Sequence, residues 1–139
     1  MKLALDTSVV VAALDGEDPD HAGCRRLLLS GNFSIHSHAL SETFATLTGG
    51  RLAFRISAAD AASILRHQLA PRLTITSLEE KELLKAYEES TSRGIRGDAI
   101  YDYLHLAAAR MAGALRLYTL NTADFLAFHR PGDPEITRP

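Results

Sequence analysis

A second cysteine is missing from the 139 residues, so Cys24 can form no internal disulfide and no CxxC metal site exists. Excess charge is missing as well. Fifteen basic against seventeen acidic residues leave a net charge of −2, without the global pull that a basic protein exerts on nucleic acid. No apolar run is long enough to cross a bilayer, and no repeat or low-complexity tract breaks the chain. The opening MKLALDTSVVVAAL looks like a secretion signal only at first glance. Asp6 interrupts its apolar run, Lys2 is its one positive charge, and no small-residue cleavage site follows. The chain is therefore expected to remain cytoplasmic and to make no membrane contact. Lysine is scarce, three against twelve arginines. Arginine suits bidentate phosphate contacts but also surface ion pairs, so composition decides neither.

What is present fits one globular domain over 1–139: 46% apolar and 23% charged residues, on a length that would leave two poor cores if divided. KLAL at 2–5 reads as a buried strand and TSVVVAAL at 7–14 as a helix. The polar run GEDPD precedes a helix over 21–29 with Asp20 as its cap. Cys24 falls among Leu27 and Leu28 of that helix and reads as packing. FSIHS at 33–37 alternates like a strand. A helix over 38–48 follows, with a Leu40, Phe44, Leu47 stripe, stopped by Gly49 and Gly50.

Ser57 is placed to cap a helix over 58–69 that Pro71 ends. LTIT at 73–76 is a third strand. A charged amphipathic helix follows at 79–92, with Leu83, Leu84 and Tyr87 on one face. SRGIRGD is a loop, and Asp98 opens a helix over about 99–112. Residues 115–119 form a fourth strand, 121–128 a short helix, and 135–137 a possible last strand within a proline-rich tail. Strands alternating with helices predict an α/β fold, its central, mainly parallel sheet flanked by helices. Such sheets bind ligands outside the carboxyl ends of their strands.

Four acids draw attention by position. Asp6 ends the first strand. Glu42 lies early in the helix after the second. Asp102 sits in the helix feeding the fourth strand, and Asp124 lies just past that strand. Clustered carboxylates raise one another's pKa unless a cation neutralises them, and hard oxygen donors select Mg²⁺ or Mn²⁺ over zinc. Each acid also has a plainer reading. Asp6 could cap its helix, and Glu42 lies off the apolar stripe and could be solvated. Asp124 could belong to a capping box with Asn121. Asp102 resists such a reading, because Ala99, Leu106 and Ala109 surround it and a carboxylate there needs a partner. Asp98 shares that face but follows Gly97 at a helix start, where capping accounts for it.

The strings LALDTSVVVAAL, HSHALSETFATLTGGR, GDAIYDYLHLAAAR and LYTLNTADF together resemble the PIN-domain family, specifically the VapC-type toxins of bacterial toxin–antitoxin pairs. The resemblance spans nearly the whole chain. It implies a metal-dependent endoribonuclease that hydrolyses RNA, is inhibited by a cognate VapB-like antitoxin and forms a homodimer. Carried over by position, the catalytic and metal-binding acids are Asp6, Glu42, Asp102 and an acid of the T-x-N-x-x-D-F segment, taken as Asp124, with Mg²⁺ or Mn²⁺ as cofactor. Ser8 and Thr119 would be supporting polar residues. Many relatives carry Asp where Asn121 stands and a small residue where Asp98 stands, so Asn121 and Asp98 stay open as contributors.

The rivals fit less well. His36, His38 and His105 could build a transition-metal site or an acid–base pair, with His36 and His38 on one face of the second strand. Yet no HxxxH or HExxH motif occurs, and a place on the surface or behind the metal ligands suits them better. Haloacid-dehalogenase-like enzymes need an Asp where Ser8 stands, and receiver domains need a Lys after a late strand, where Thr119 stands. A non-catalytic domain of the same fold, binding metal or RNA without turnover, stays open. Arg51, Arg93 and Arg96 are candidates for phosphate contacts or for surface ion pairs.

Overall fold

The computed structural model describes residues 1–139. Five short strands, β1 (Leu3–Leu5), β2 (Phe33–His36), β3 (Leu73–Thr76), β4 (Arg116–Tyr118) and β5 (Glu135–Thr137), form one sheet in the order β3-β2-β1-β4-β5. Every pairing is parallel. Seven α-helices connect them: α1 (Thr7–Leu14), α2 (His21–Leu29), α3 (His38–Thr48), α4 (Ala58–Ser63), α5 (Glu80–Arg93), α6 (Ala99–Met111) and α7 (Thr122–Phe128). Parallel strands require such crossovers, and helices on both faces explain why β1 is apolar throughout.

Side-chain alternation divides the interior into two cores. Leu5, Phe33 and Ile35 turn to one face of the sheet and pack with Val9, Val10, Cys24, Leu28 and Leu69. Ala4 and Leu117 turn to the other and pack with Tyr103, Leu106, Phe125 and Phe128. Cys24 is fully buried, as its packing role requires, and burial first, then Asp20 and Asp18, push its thiol up to about 11. Such a thiol is inert at neutral pH.

The predicted elements recur with small shifts, and the departures have local causes. The helix over 58–69 starts where expected, with Ser57 Oγ accepting from Asp60 N at 3.1 Å. It then widens into a π-helical turn over Ile64–Leu69, before a 3₁₀ turn over Ala70–Arg72. An apolar period does not distinguish these windings. On α5 the inward residue is Ala86, while Leu84 and Tyr87 of the expected apolar face remain exposed. Gly94 closes α5 in the left-handed region at φ 69°, which explains its place in the SRGIRGD loop. Asp20 stands at the start of α2, but its carboxylate leaves the helix uncapped and receives Arg138 at 3.1 Å. That pair ties the tail to the body, as does β5 on the edge of β4.

Candidate acidic site

The strand order reverses direction at β1. From β1 the chain steps outward to β2 and β3, then returns to β1's other side for β4 and β5. The gap beyond the carboxyl ends of β1 and β4 is thus the topological switch point, where parallel sheets leave a crevice. Asp6 and Thr119 are the residues that follow those two strands.

Asp6 is only 2% exposed. Its Oδ1 accepts from Ser8 Oγ at 2.6 Å and from Val9 N at 3.4 Å, and its Oδ2 accepts from Thr119 Oγ1 at 2.6 Å. It therefore caps α1 from its place just past the carboxyl end of β1. Ser8 Oγ in turn accepts from Leu120 N at 3.0 Å, and Thr119 Oγ1 accepts from Asn121 N at 2.9 Å. These bonds lace the end of β4 to the start of α1. Burial raises the Asp6 pKa, against the opposing pull of His105 and of the Ser8 and Thr119 hydrogen bonds.

Glu42 is held from two sides. Thr7 Oγ1 donates to its Oε1 at 2.8 Å, and His105 Nε2 lies 3.2 Å from the same oxygen and 3.2 Å from Thr7 Oγ1. Because Thr7 gives its hydrogen to Glu42, the proton of His105 belongs on Nε2, where both oxygens can accept it. His105 Nδ1 is buried without a partner. Burial pushes Glu42 upward, but the His105 and Thr7 bonds and the charges of His105 and His38 outweigh it, leaving its pKa lowered. Glu42 is both held and partly solvated, its side chain 34% exposed, because α3 buries Ala39, Thr43 and Leu47 rather than the full Leu40, Phe44, Leu47 stripe. That rotation brings Glu42 toward Thr7.

Asp102 projects from α6, whose Leu106 and Ala109 are buried. Burial first, then the negative charges of Asp6, Asp124 and Glu42, push its carboxyl up to about 6, with His105 pulling the other way. Asp102 thus senses the charges of the other three expected acids. Their placement is less uniform. Asp102 and the exposed Asp124 line one cleft of about 390 Å³ between α6 and α7, together with Asp98. Asp6 and Glu42 do not line it. No three of the acid, imidazole or thiol groups converge closely enough to enclose one cation. The carboxylates of Asp102, Asp124 and Asp98 in the cleft are hard oxygen donors of the kind a divalent ion takes, and repulsion between them is what such an ion relieves.

Asp98 and Asn121 stand at the starts of α6 and α7, yet neither side chain caps its helix. His36 and His38 do not share a strand face, since His38 is the first residue of α3. Their rings stack all the same, with centroids 6.0 Å apart. Arg93 is removed from the phosphate-binding candidates. Its guanidinium pairs with the buried Asp133, donates to Phe128 O at 3.2 Å and lies over the Tyr103 ring. Arg51 and Arg96 are exposed. Thr7 is the functional residue that sequence reasoning missed. Its only signal was its place beside Asp6, and nothing in the primary order connects it to Glu42, 35 residues away.

Residues 3–130 match the family model described as PIN domain. Ribonuclease VapC27 of Mycobacterium tuberculosis is 31% identical over 107 residues, 77% of this chain and 76% of that protein. In three dimensions the chain is similar to the crystal structure of Mycobacterium tuberculosis VapC20, a sarcin-ricin-loop-cleaving toxin. The TM-score is 0.74 and the identity 23%, covering 99% of this chain and 100% of that one. It is similar also to VapBC2 from Rickettsia felis, solved bound to a DNA fragment from its promoter. There the TM-score is 0.68 and the identity 21%, over 100% of this chain and 99% of that one.

Proposed function

The chain belongs to the PIN domain family, and from that premise we propose that it is a divalent-metal-dependent endoribonuclease, the toxin of a toxin–antitoxin pair. The observation that carries the proposal is the buried Asp6, fixed by Ser8 and Thr119 at the switch point of the sheet, with Asp102 and Asp124 lining the cleft between α6 and α7. Asp6, Glu42, Asp102 and Asp124 are the proposed ligands of Mg²⁺ or Mn²⁺. When bound, such an ion neutralises the carboxylates, activates a water and stabilises the leaving oxygen of a phosphodiester.

The protein's own residues prepare that site. Ser8 and Thr119 fix both oxygens of Asp6, so its carboxylate cannot rotate away. Thr7 and His105 hold Glu42 ionised and oriented. The Asp102 carboxyl, pushed up to about 6 by burial and by the other acids, loses its proton when positive charge arrives. Asp124, on the open side of the cleft, supplies the charge that Asn121 cannot.

The antitoxin is proposed to be a VapB-like protein that docks as a helix over the site, and the toxin is proposed to be a cytoplasmic homodimer. Support for the partner is that the Rickettsia felis neighbour was solved as VapBC2. Two measurements test the reading. Purified protein should cleave RNA with Mg²⁺ or Mn²⁺ and stop in EDTA, and expression alone should arrest growth unless the neighbouring gene's product is present. Sequencing the RNA ends made in such cells would define the target. A folded protein that cuts no RNA with either ion would sink the proposal and leave a non-catalytic binding domain.

A further inference from the structure

Close to the acids, two aromatic rings face each other at the surface. The Tyr101 and His38 rings lie 7° from coplanar with centroids 5.7 Å apart. That separation makes an offset stack rather than a sandwich, so part of each face stays uncovered. Both residues are exposed, Tyr101 by 48%. Their positions join the two acid-bearing helices, for His38 lies one turn before Glu42 on α3 and Tyr101 immediately precedes Asp102 on α6. A row of rings then runs inward. His38 stacks with His36, His36 meets the edge of His105 at 5.8 Å, and His105 reaches Glu42 at 3.2 Å.

Charge explains why such a platform is needed. The surroundings of the site are acidic, with Asp98, Asp102 and Asp124 lining the cleft, and Arg93 on its wall is already paired to Asp133. A polyanionic strand gains little there from phosphate contacts, which ordinarily supply most of the affinity for nucleic acid. Stacking on an aromatic face needs no positive charge, accepts any base, and requires an unpaired one. We propose that Tyr101, backed by His38, holds one unpaired nucleobase of the substrate RNA and so adds to the affinity for the strand. This assignment rests on the ribonuclease reading.

The test compares steady-state cleavage of a short unstructured RNA, and of the same RNA carrying single abasic sites, by wild type, Tyr101→Ala and Tyr101→Phe. Tyr101→Ala should raise KM at least about fivefold, the low end of what one base–aromatic stack contributes. Its kcat should stay within about twofold of wild type, since the stack acts on the bound strand as a whole. Tyr101→Phe, which keeps the ring, should match wild type. One abasic position near the cut should weaken wild type equally and Tyr101→Ala no further. If wild type cleaves RNA and Tyr101→Ala has an unchanged KM, the platform is refuted while the nuclease reading stands. A Tyr101→Ala protein with normal KM that no longer binds its co-expressed inhibitor would give the ring to a protein partner instead. Folded wild type that cleaves no RNA overturns both proposals.

Discussion

Asp102→Asn removes one charge from a cluster that repels it, and that charge has opposite effects on stability and on activity. The Asp102 carboxyl is raised from an ordinary 3.8 to about 6, so between those values the folded protein keeps a proton that the unfolded chain has released. Wild-type stability in metal-free buffer should therefore fall as pH rises through that window, then level off. The penalty is fully present above pH 6 and absent below pH 4. At about 1.36 kcal/mol per pH unit, the difference amounts to at most about 3 kcal/mol. Solvent reaching the half-buried group screens part of this, leaving about 1–2 kcal/mol. The amide is nearly isosteric and uncharged, so the variant should melt about 3–8 °C higher than wild type at pH 7.5 in EDTA. Its melting temperature should decline less than that of wild type between pH 4 and 6.

Added Mg²⁺ should then stabilise wild type more than the variant, because binding to the folded state alone raises stability. Cleavage by the variant should drop at least about a hundredfold, equivalent to roughly 2.7 kcal/mol of barrier. Thermal scans across pH, with and without metal, and an RNA cleavage assay measure all of this. A variant that melts below wild type at pH 7.5 in EDTA would show that Asp102 is a structural partner rather than a strained charge. Wild-type cleavage by the folded variant would remove Asp102 from the site.

Four further substitutions probe the surrounding framework. Asp124→Asn should raise the metal concentration needed for half-maximal cleavage well above that of Asn121→Ala, since only Asp124 lines the cleft and acts on Asp102; the reverse order in metal titrations would make Asn121 the ligand-side residue. Thr119→Val keeps the shape but strips Oδ2 of the buried Asp6 of its donor, and should cost about 1–3 kcal/mol in urea unfolding at pH 7.5; no loss would mean that Thr119 does not support Asp6. Asp133→Ala leaves Arg93 and Arg110 without their shared carboxylate, only 3% exposed, and should cost about 3 kcal/mol. Burial raises the Asp133 carboxyl, but Arg93, the Arg130 amide and Arg110 draw it below 3.8. The stability it contributes is thus complete above the unfolded value and lost as pH falls through the lower folded one. Equal acid sensitivity of wild type and Asp133→Ala in that range would contradict this.

Most of the element order was legible in the linear sequence, because apolar period and turn residues are local. DTSV after LAL marks a strand end and a helix start, Gly49 and Gly50 stop α3, and LTIT is β3 as read. The same locality let the four acids be picked out, since each stands at or near an element boundary that the pattern fixes. What locality could not supply was rotation and partnership. A shift of one helical position, from the Leu40 stripe to the Ala39, Thr43, Leu47 face, brings the partly exposed Glu42 to Thr7. Arg93 reads as a loop cation until Asp133, forty residues on, claims it. Above all, the strand order β3-β2-β1-β4-β5 exists only in three dimensions. It sets Thr119 beside Asp6 across 113 residues, and from it come the raised Asp102 carboxyl and the exposed Tyr101–His38 stack. Charges and rings act through space, and only the closed sheet determines which of them are neighbours.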